Sequence, residues 1–348
     1  MLRVTLSLAL LAAAPALVAS APSTRAPTSA VEGRSPAFWR IIAKNEPIRT
    51  VAAGFTWAEG PVWIADRGYL LLSDVPKNRM YRWAPGMHTA SLFLEPSGGS
   101  DTKGFREPGS NGLKPGGAGR LLVADSGSRA IALLDLRTKR KRFLAERFQG
   151  KLLNSPNDLV VGPDGAIWFT DPAYGLEGID ASPLKEQPAN RVYRLAPDGT
   201  VTAIESELHF PNGIAFSPDG HTLYVSNSDP KNAVILAFDV SAGGKVSHRR
   251  VFADMTALAA KGLPGLPDGM TIDERGNLWA TGPGGVHVLT RNGRELGLIS
   301  TGSAISNCTF GGPEGRTLFM TSTHELAAVR TKVRGGPVRF PKLGGGSR

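Results

Sequence analysis

Short apolar runs separated by turn residues fill most of this chain, and long helical stripes are scarce. Runs such as Pro61-Val62-Trp63-Ile64, Leu159-Val160-Val161, Ile214-Ala215-Phe216 and Met270-Thr271-Ile272 each lead into a Gly-bearing turn. Pro163-Asp164-Gly165 and Pro218-Asp219-Gly220 are examples, with Asp-Gly tolerating positive φ. A second apolar run follows at once, at 69–72, 121–124, 167–170, 223–225, 278–281 and 318–320. Most copies add a third, at 79–83, 131–135, 191–195, 234–238 and 286–290. Short strands with turn signals at this spacing predict antiparallel sheets and an all-β fold.

The sheets repeat. Six times the chain gives an acid or amide residue, usually followed by Gly, then a strand-like run and a second Gly. The copies start at Glu59, Asn111, Asn157, Asn212, Asp268 and Asn307, and their closing glycines are Gly68, Gly119, Gly165, Gly220, Gly276 and Gly315. Repeats spaced by about fifty residues are near the blade length of propellers. About seven residues at about 3.3 Å each put the polar residue roughly 23 Å from its turn. If each run is the innermost strand of a blade, the polar residues converge on one mouth of a central channel. A lone Asn-Gly or Asp-Gly reads more readily as a hairpin turn. Here Pro156, Pro211 and Pro267 precede three of the copies, and each copy has its own turn further on. The segment 48–51 reads as an outer strand that closes the ring by pairing with the last blade near 324–332.

Composition bounds the picture. The 348 residues are 41% hydrophobic and 20% charged, with 42 Gly and 26 Pro, a globular and turn-rich balance. Arg3, the apolar run 4–18 and Ala19-Ser20-Ala21 form a signal-peptide pattern over 1–21, too short to span a bilayer. Export to the periplasm or beyond is expected, with no membrane attachment after cleavage. Residues 22–35, rich in Ala, Pro, Ser and Thr, read as a flexible linker, 36–335 as the propeller and 336–348 as a basic, Gly-rich tail. The single cysteine, Cys308, excludes an internal disulfide and reads as a buried strand residue. The formal charge of +10 comes with no basic helix or stacking-aromatic array, so nucleic acid is not an expected partner. A monomer or weak homo-oligomer is expected.

Glu59, Asn157, Asn212 and Asp268 offer two carboxylates and two amide carbonyls, all hard oxygen donors. Such a set suits Ca²⁺, with water or substrate completing its shell. Mg²⁺ and Zn²⁺ are the alternatives, Zn²⁺ disfavoured because no soft ligand is evident. Asn111, at the matching second-blade position, is a candidate substrate contact. So are Tyr174, in a long loop from 171 to 190 that could cover the mouth, and His287, just after Gly284-Gly285. No Gly-x-Ser-x-Gly elbow is present, which argues against a serine hydrolase.

Four motifs in order carry a family resemblance: Ala58-Glu59-Gly60-Pro61-Val62-Trp63; Asn154-Ser155-Pro156-Asn157-Asp158-Leu159 with Phe169-Thr170-Asp171-Pro172; Phe210-Pro211-Asn212-Gly213; and Leu266-Pro267-Asp268-Gly269-Met270. Over roughly 48–333 the chain resembles the senescence-marker, gluconolactonase and luciferin-regenerating family, and Asp171-Pro172-Ala173-Tyr174-Gly175 resembles its bacterial gluconolactonase branch. The resemblance implies a six-bladed β-propeller with a divalent metal at one mouth of the channel. It also implies Glu59, Asn157, Asn212 and Asp268 as ligands, with Asn157 reaching the metal or the substrate. The implied reaction is hydrolysis of a small-molecule sugar lactone, with Asp268 as the general base. Animal members carry an arginine where this chain has Ser155, so that sugar contact does not transfer. Two other readings stay open: a lactonase or phosphoesterase acting on a non-sugar substrate with the same metal, and a non-catalytic propeller used as a binding module.

Overall fold

The computed structural model describes residues 29–343. The signal-peptide segment 1–21 lies outside the described residues. Within them, six antiparallel sheets of four strands or more are arranged as the blades of a propeller. Their inner strands are Ala58–Ile64, Ser110–Pro115, Leu159–Val161, Pro211–Phe216, Met270–Ile272 and Asn307–Gly311. In each blade the chain then steps outward strand by strand, as in Tyr69–Asp74, Arg79–Trp83 and Ser91–Leu94 of blade 1. The only α-helix among the described residues is a single turn, Thr256–Ala259, and no helix is long and apolar enough to cross a membrane.

The second strands Tyr69–Asp74, Ile167–Asp171 and Leu278–Gly282 are buried along their whole length, and the other three are buried in all but their first residue. A strand covered on both faces reads as a continuous apolar run instead of alternating, which is the pattern these runs have in the sequence. The covers are the neighbouring blades. The buried side chains fall into six clusters, such as Leu71, Leu113 and Val123 between blades 1 and 2, and Trp168, Ile214 and Val225 between blades 3 and 4. Between blades 5 and 6 lies Cys308, its thiol pushed up to about 12 chiefly by burial and its Sγ 3.3 Å from the Trp279 carbonyl oxygen.

Ring closure follows the predicted route: Arg49–Ala53 is the outer strand of blade 6 and pairs antiparallel with Glu325–Arg330, Arg49 opposite Ala328. The linker reading of 22–35 fails at its end. Ala30–Gly33 adds a fifth strand to blade 5, pairing Ala30 with Ser300 and Gly33 with Gly297. An edge strand held mainly by backbone hydrogen bonds needs little apolar composition, so composition gives no sign of this one. The tail also packs. Gly336 donates to the Ile272 carbonyl at 2.8 Å and Lys342 to the Gly165 carbonyl at 2.9 Å, which lays residues 335–343 over the turn end of the channel.

Candidate active site

At the other end of the channel, a pocket of about 440 Å³ is lined by Glu59, Asn111, Asn157, Asn212, Asp268 and Tyr174, with Trp57, Arg106, Glu107 and Ser228 beside them. Five of the six repeated polar residues therefore meet at one mouth. The sixth, Asn307, lies buried next to them: its Nδ2 donates to Glu59 Oε2 at 3.1 Å, and its Oδ1 accepts from the Cys308 amide at 2.8 Å. It orients the Glu59 carboxylate, and its own oxygen is engaged by the Cys308 amide.

Two recurring devices hold these residues. At the end of a second strand, an acid or amide side chain grips the backbone leading into the inner strand. Asp74 accepts from the Thr56 and Trp57 amides at 3.0 and 3.1 Å, Asp171 from Asn154 at 2.8 Å, and Asn227 from Phe210 at 2.8 Å. Hydroxyls then tie each blade to the next. Ser73 donates to the Asn111 carbonyl at 2.9 Å, Thr170 to that of Asn212 at 2.6 Å, and Ser226 to that of Asp268 at 2.9 Å. The backbone of these three polar residues is fixed by the neighbouring blade, which leaves the side chain for the pocket.

The Gly that follows the polar residue has a steric cause. A Cβ on Gly213 would stand 2.1 Å from the Asp268 carbonyl oxygen, and one on Gly269 would stand 2.0 Å from Asn307 Cγ. Inner strands of adjacent blades approach too closely there for any side chain, so these dipeptides are not hairpin turns. The third copy has Asp158 in that place. Its carboxylate is buried in the channel, 3.5 Å from Lys114 Nζ.

Electrostatics at the mouth are strained. Burial pushes the Glu59 carboxyl up to about 7, with Asp158 adding repulsion against the stabilising Gly60 amide and Asn307. Asp268 is held well above the usual carboxylate range by burial and then by the charges of Glu59 and Asp158. Beside them, Oδ1 of Asn111 and Oδ1 of Asn212 are buried with no hydrogen-bond partner. The Asn212 amide is turned by its Nδ2 donating to Ser228 Oγ at 2.9 Å, which leaves its oxygen aimed away. A buried, unpartnered acceptor costs about 1–3 kcal/mol. The Asn212 oxygen next to two repelling carboxylates fits a hard divalent cation, whose charge would satisfy all three, and the Asn111 oxygen is left for a substrate hydroxyl. Among the described residues no group of three or more His, Cys, Asp or Glu is placed to hold a metal. A cation here depends on amide oxygens as much as on carboxylates, a mixture that suits Ca²⁺.

Tyr174 lies where the long loop crosses the mouth, its ring stacked on Phe210 at 5.0 Å between centroids. Burial raises its phenol well above the ordinary value. Ser155 ties this loop down, donating to the Pro172 carbonyl at 2.6 Å and accepting from the Gly175 amide at 2.8 Å. His287 is a correction: it belongs to the third strand of blade 5, away from the channel. Its ring is buried there, with Nδ1 2.7 Å from Glu295 Oε1 and Nε2 3.1 Å from the Pro283 carbonyl. Trp57, Arg106, Glu107 and Ser228 are site residues that the sequence pattern did not single out. Trp57 and Ser228 sit within two residues of a repeat element, a signal that was available; Arg106 and Glu107 sit in a loop outside any repeat.

Known proteins share this fold and much of this sequence. The profile of the SMP-30/Gluconolactonase/LRE-like region matches residues 57–324. A gluconolactonase of Zymomonas mobilis is 44% identical over 307 residues, 86% of each chain. A pentonolactonase of Haloferax volcanii is 28% identical over 284 residues, 79% of this chain and 84% of that one. The solved structure of a gluconolactonase from Xanthomonas campestris superposes with a TM-score of 0.75 at 33% identity, covering 88% of this chain and 96% of that one.

Proposed function

The chain belongs to the SMP-30/gluconolactonase/LRE-like family, and from that premise we propose that it is a metal-dependent lactonase that opens a sugar lactone of the glucono-1,5-lactone type. The observation that carries this reading is the set of unpartnered oxygens on Asn111 and Asn212 beside the buried carboxylates of Glu59 and Asp268. Glu59, Asn157, Asn212 and Asp268 would hold the metal, Ca²⁺ on the chemistry of its donors. When bound, the cation supplies polarisation of the lactone carbonyl and neutralises charge developing on its oxygen.

The chain's own residues do the rest. Asp268 accepts a proton from the attacking water. The water oxygen bonds to the acyl carbon, the ring C–O bond breaks, and the leaving alkoxide takes up a proton to give the open-chain hydroxy acid. A carboxyl raised by burial and by Glu59 is a stronger base than an exposed one. Asn111 and Asn157 face the substrate from the channel, and Tyr174 with its loop narrows the mouth and excludes bulk water.

Acid release from glucono-1,5-lactone, followed in a pH-stat before and after chelation, tests the reading. Chelation is expected to abolish enzymatic turnover, with recovery on adding Ca²⁺; undiminished hydrolysis in metal-free protein removes the metal from the reaction. Asp268→Asn is expected to lower kcat by about 10²–10⁴-fold, and an unchanged kcat removes it as base. Export is proposed as well, on the leader at 1–21. Amino-terminal sequencing of protein recovered outside the cytoplasm is expected to begin at Pro22, just after Ala21.

A further inference from the structure

Within this pocket the loop joining blades 1 and 2 supplies two charged residues that the metal chemistry does not use. Arg106 and Glu107 line the pocket with the ligand set. The Arg106 side chain is 49% exposed and that of Glu107 17%, against 3% for the whole of Glu59 and 5% for Asn212, so Arg106 stands at the rim, Glu107 just inside it and the metal donors at the floor. Arg106 is the one cation among the lining residues. One of its terminal nitrogens donates to Glu107 Oε1 at 2.6 Å. A guanidinium carries five N–H donors and a carboxylate two acceptor oxygens, so each group keeps capacity for a ligand.

The pair is held rigidly. The Arg106 and Glu107 amides both donate to the Gly175 carbonyl, at 2.9 and 3.2 Å, and Glu177 donates back to the Gly104 carbonyl at 2.9 Å. Phe105 bridges Leu176 in antiparallel fashion. A Cβ on Gly175 would meet Ser155 Cβ at 2.8 Å, so the two loops and Ser155 are in close contact. Ser155 spends its hydroxyl on this packing. The mouth's positive charge comes from the loop between blades 1 and 2.

We propose that Arg106 and Glu107 are specificity-determining residues that read the hydroxyl groups of the lactone, Arg106 donating to one hydroxyl and Glu107 accepting from its neighbour. This rests on the lactonase reading and names what that site selects. A donor and an acceptor held side by side match adjacent hydroxyls, one used as acceptor and the other as donor. An anionic substituent would meet Arg106 but also the negative charge of Glu107 beside it. The pair therefore favours a neutral polyhydroxylated ring over an apolar or anionic one. Sites built to hydrogen-bond a hydroxyl reject analogues that lack it, because their polar groups are then left unpaired.

The test compares glucono-1,5-lactone with δ-valerolactone, the same six-membered ring without hydroxyls, on the metal-loaded full-length protein. Wild type is expected to prefer the gluconolactone in kcat/KM by at least about 100-fold. Arg106→Ala and Glu107→Gln are expected to raise KM for gluconolactone about 10–100-fold, with kcat within about threefold and δ-valerolactone kinetics unchanged. Arg106→Lys is expected to restore part of the loss. The loop is anchored through backbone amides, so these side-chain changes leave it in place, and circular dichroism checks the fold. Variants that slow both lactones equally, or neither, overturn the inference. A wild type that turns over both lactones equally well also overturns it and leaves the lactonase reading standing. A wild type that turns over neither overturns both.

Discussion

The two mouths of the channel are built from the opposite ends of the same six inner strands, yet they treat polar atoms in opposite ways. At the near mouth, buried oxygens on Asn111 and Asn212 have no partner and the Glu59 and Asp268 carboxyls repel each other. At the far mouth, the chain's own tail crosses a cavity of about 680 Å³ lined by side chains such as Val62, Trp63, Phe310 and Val338. There the tail meets backbone groups of the turns, as Gly335 does at the Gly315 carbonyl at 3.1 Å and Arg339 at that of Pro218 at 2.7 Å. One end satisfies itself and the other waits for a ligand. Equivalent backbones thus separate stability from chemistry, and only the near mouth bears a cost that binding would relieve.

Glu59→Gln breaks the near mouth most directly. Turnover is expected to fall about 10³-fold, read by pH-stat together with metal content. In metal-free protein the same change is expected to raise the melting temperature, because a neutral amide ends the repulsion with Asp268 and Asp158. A variant that loses activity and also unfolds earlier without metal would make Glu59 a structural residue, and the contrast between the mouths would fall.

Asp171 sharpens the comparison through pH. Its carboxyl, buried beneath the loop that carries Tyr174, is pushed up to about 7 chiefly by burial, against the amides of Asn154 and Ser155 and the charge of Arg129. Because the folded value lies above the ordinary 3.8, proton binding favours the fold. That contribution is complete below about pH 4 and is lost as pH rises through about 7, at about 1.4 kcal/mol for each pH step between the two values. Thermal melts of wild type are therefore expected to lose stability between pH 4 and 7 relative to Asp171→Asn. Parallel curves for the two proteins would show that Asp171 ionises in the fold as it does outside it.

Much of this was legible in the sequence, for identifiable reasons. The polar residue recurred because each inner strand begins at the same mouth, and strand 49–53 closed the ring because the last blade lacks an outer strand of its own. The reason for the following Gly was not legible, since it lies in the approach of a neighbouring blade distant in sequence. His287 was misplaced because its Gly-Gly turn joins the second and third strands of blade 5 and puts it two strands out from the channel. Arg106 and Glu107 carry no period, and only the docking of two loops brings them to the pocket. The hydroxyls Ser73, Thr170 and Ser226 did recur at equivalent strand ends, a signal that repeat counting could have caught.

That recurrence gives a smaller prediction. Thr170→Val keeps the shape of the strand but leaves the Asn212 carbonyl without its 2.6 Å hydrogen bond. The expected cost is about 1–3 kcal/mol in stability, measured by denaturant unfolding, with weaker metal binding because Asn212 is the residue released. If stability falls and metal affinity holds, the hydroxyls join blades without positioning the site.

Removal of the tail is expected to have the least effect on chemistry. A chain ending at Gly335 loses the contacts of Gly336, Arg339 and Lys342 with three blades, and its melting temperature should drop. Its kcat/KM should stay within about twofold of wild type, a change under about 0.5 kcal/mol in activation free energy. A physical route between the mouths does exist: Lys114 lines the far cavity, lies 3.5 Å from Asp158, and Asp158 acts on both Glu59 and Asp268. If shortening the tail lets water reach Lys114 and screens its pairing with Asp158, the near-mouth carboxyls would feel Asp158 more strongly and turnover would shift with it. A tenfold change on truncation, abolished when Lys114→Met is added, would therefore show that the far mouth tunes the chemistry; no change would show that the inner strands isolate the two ends.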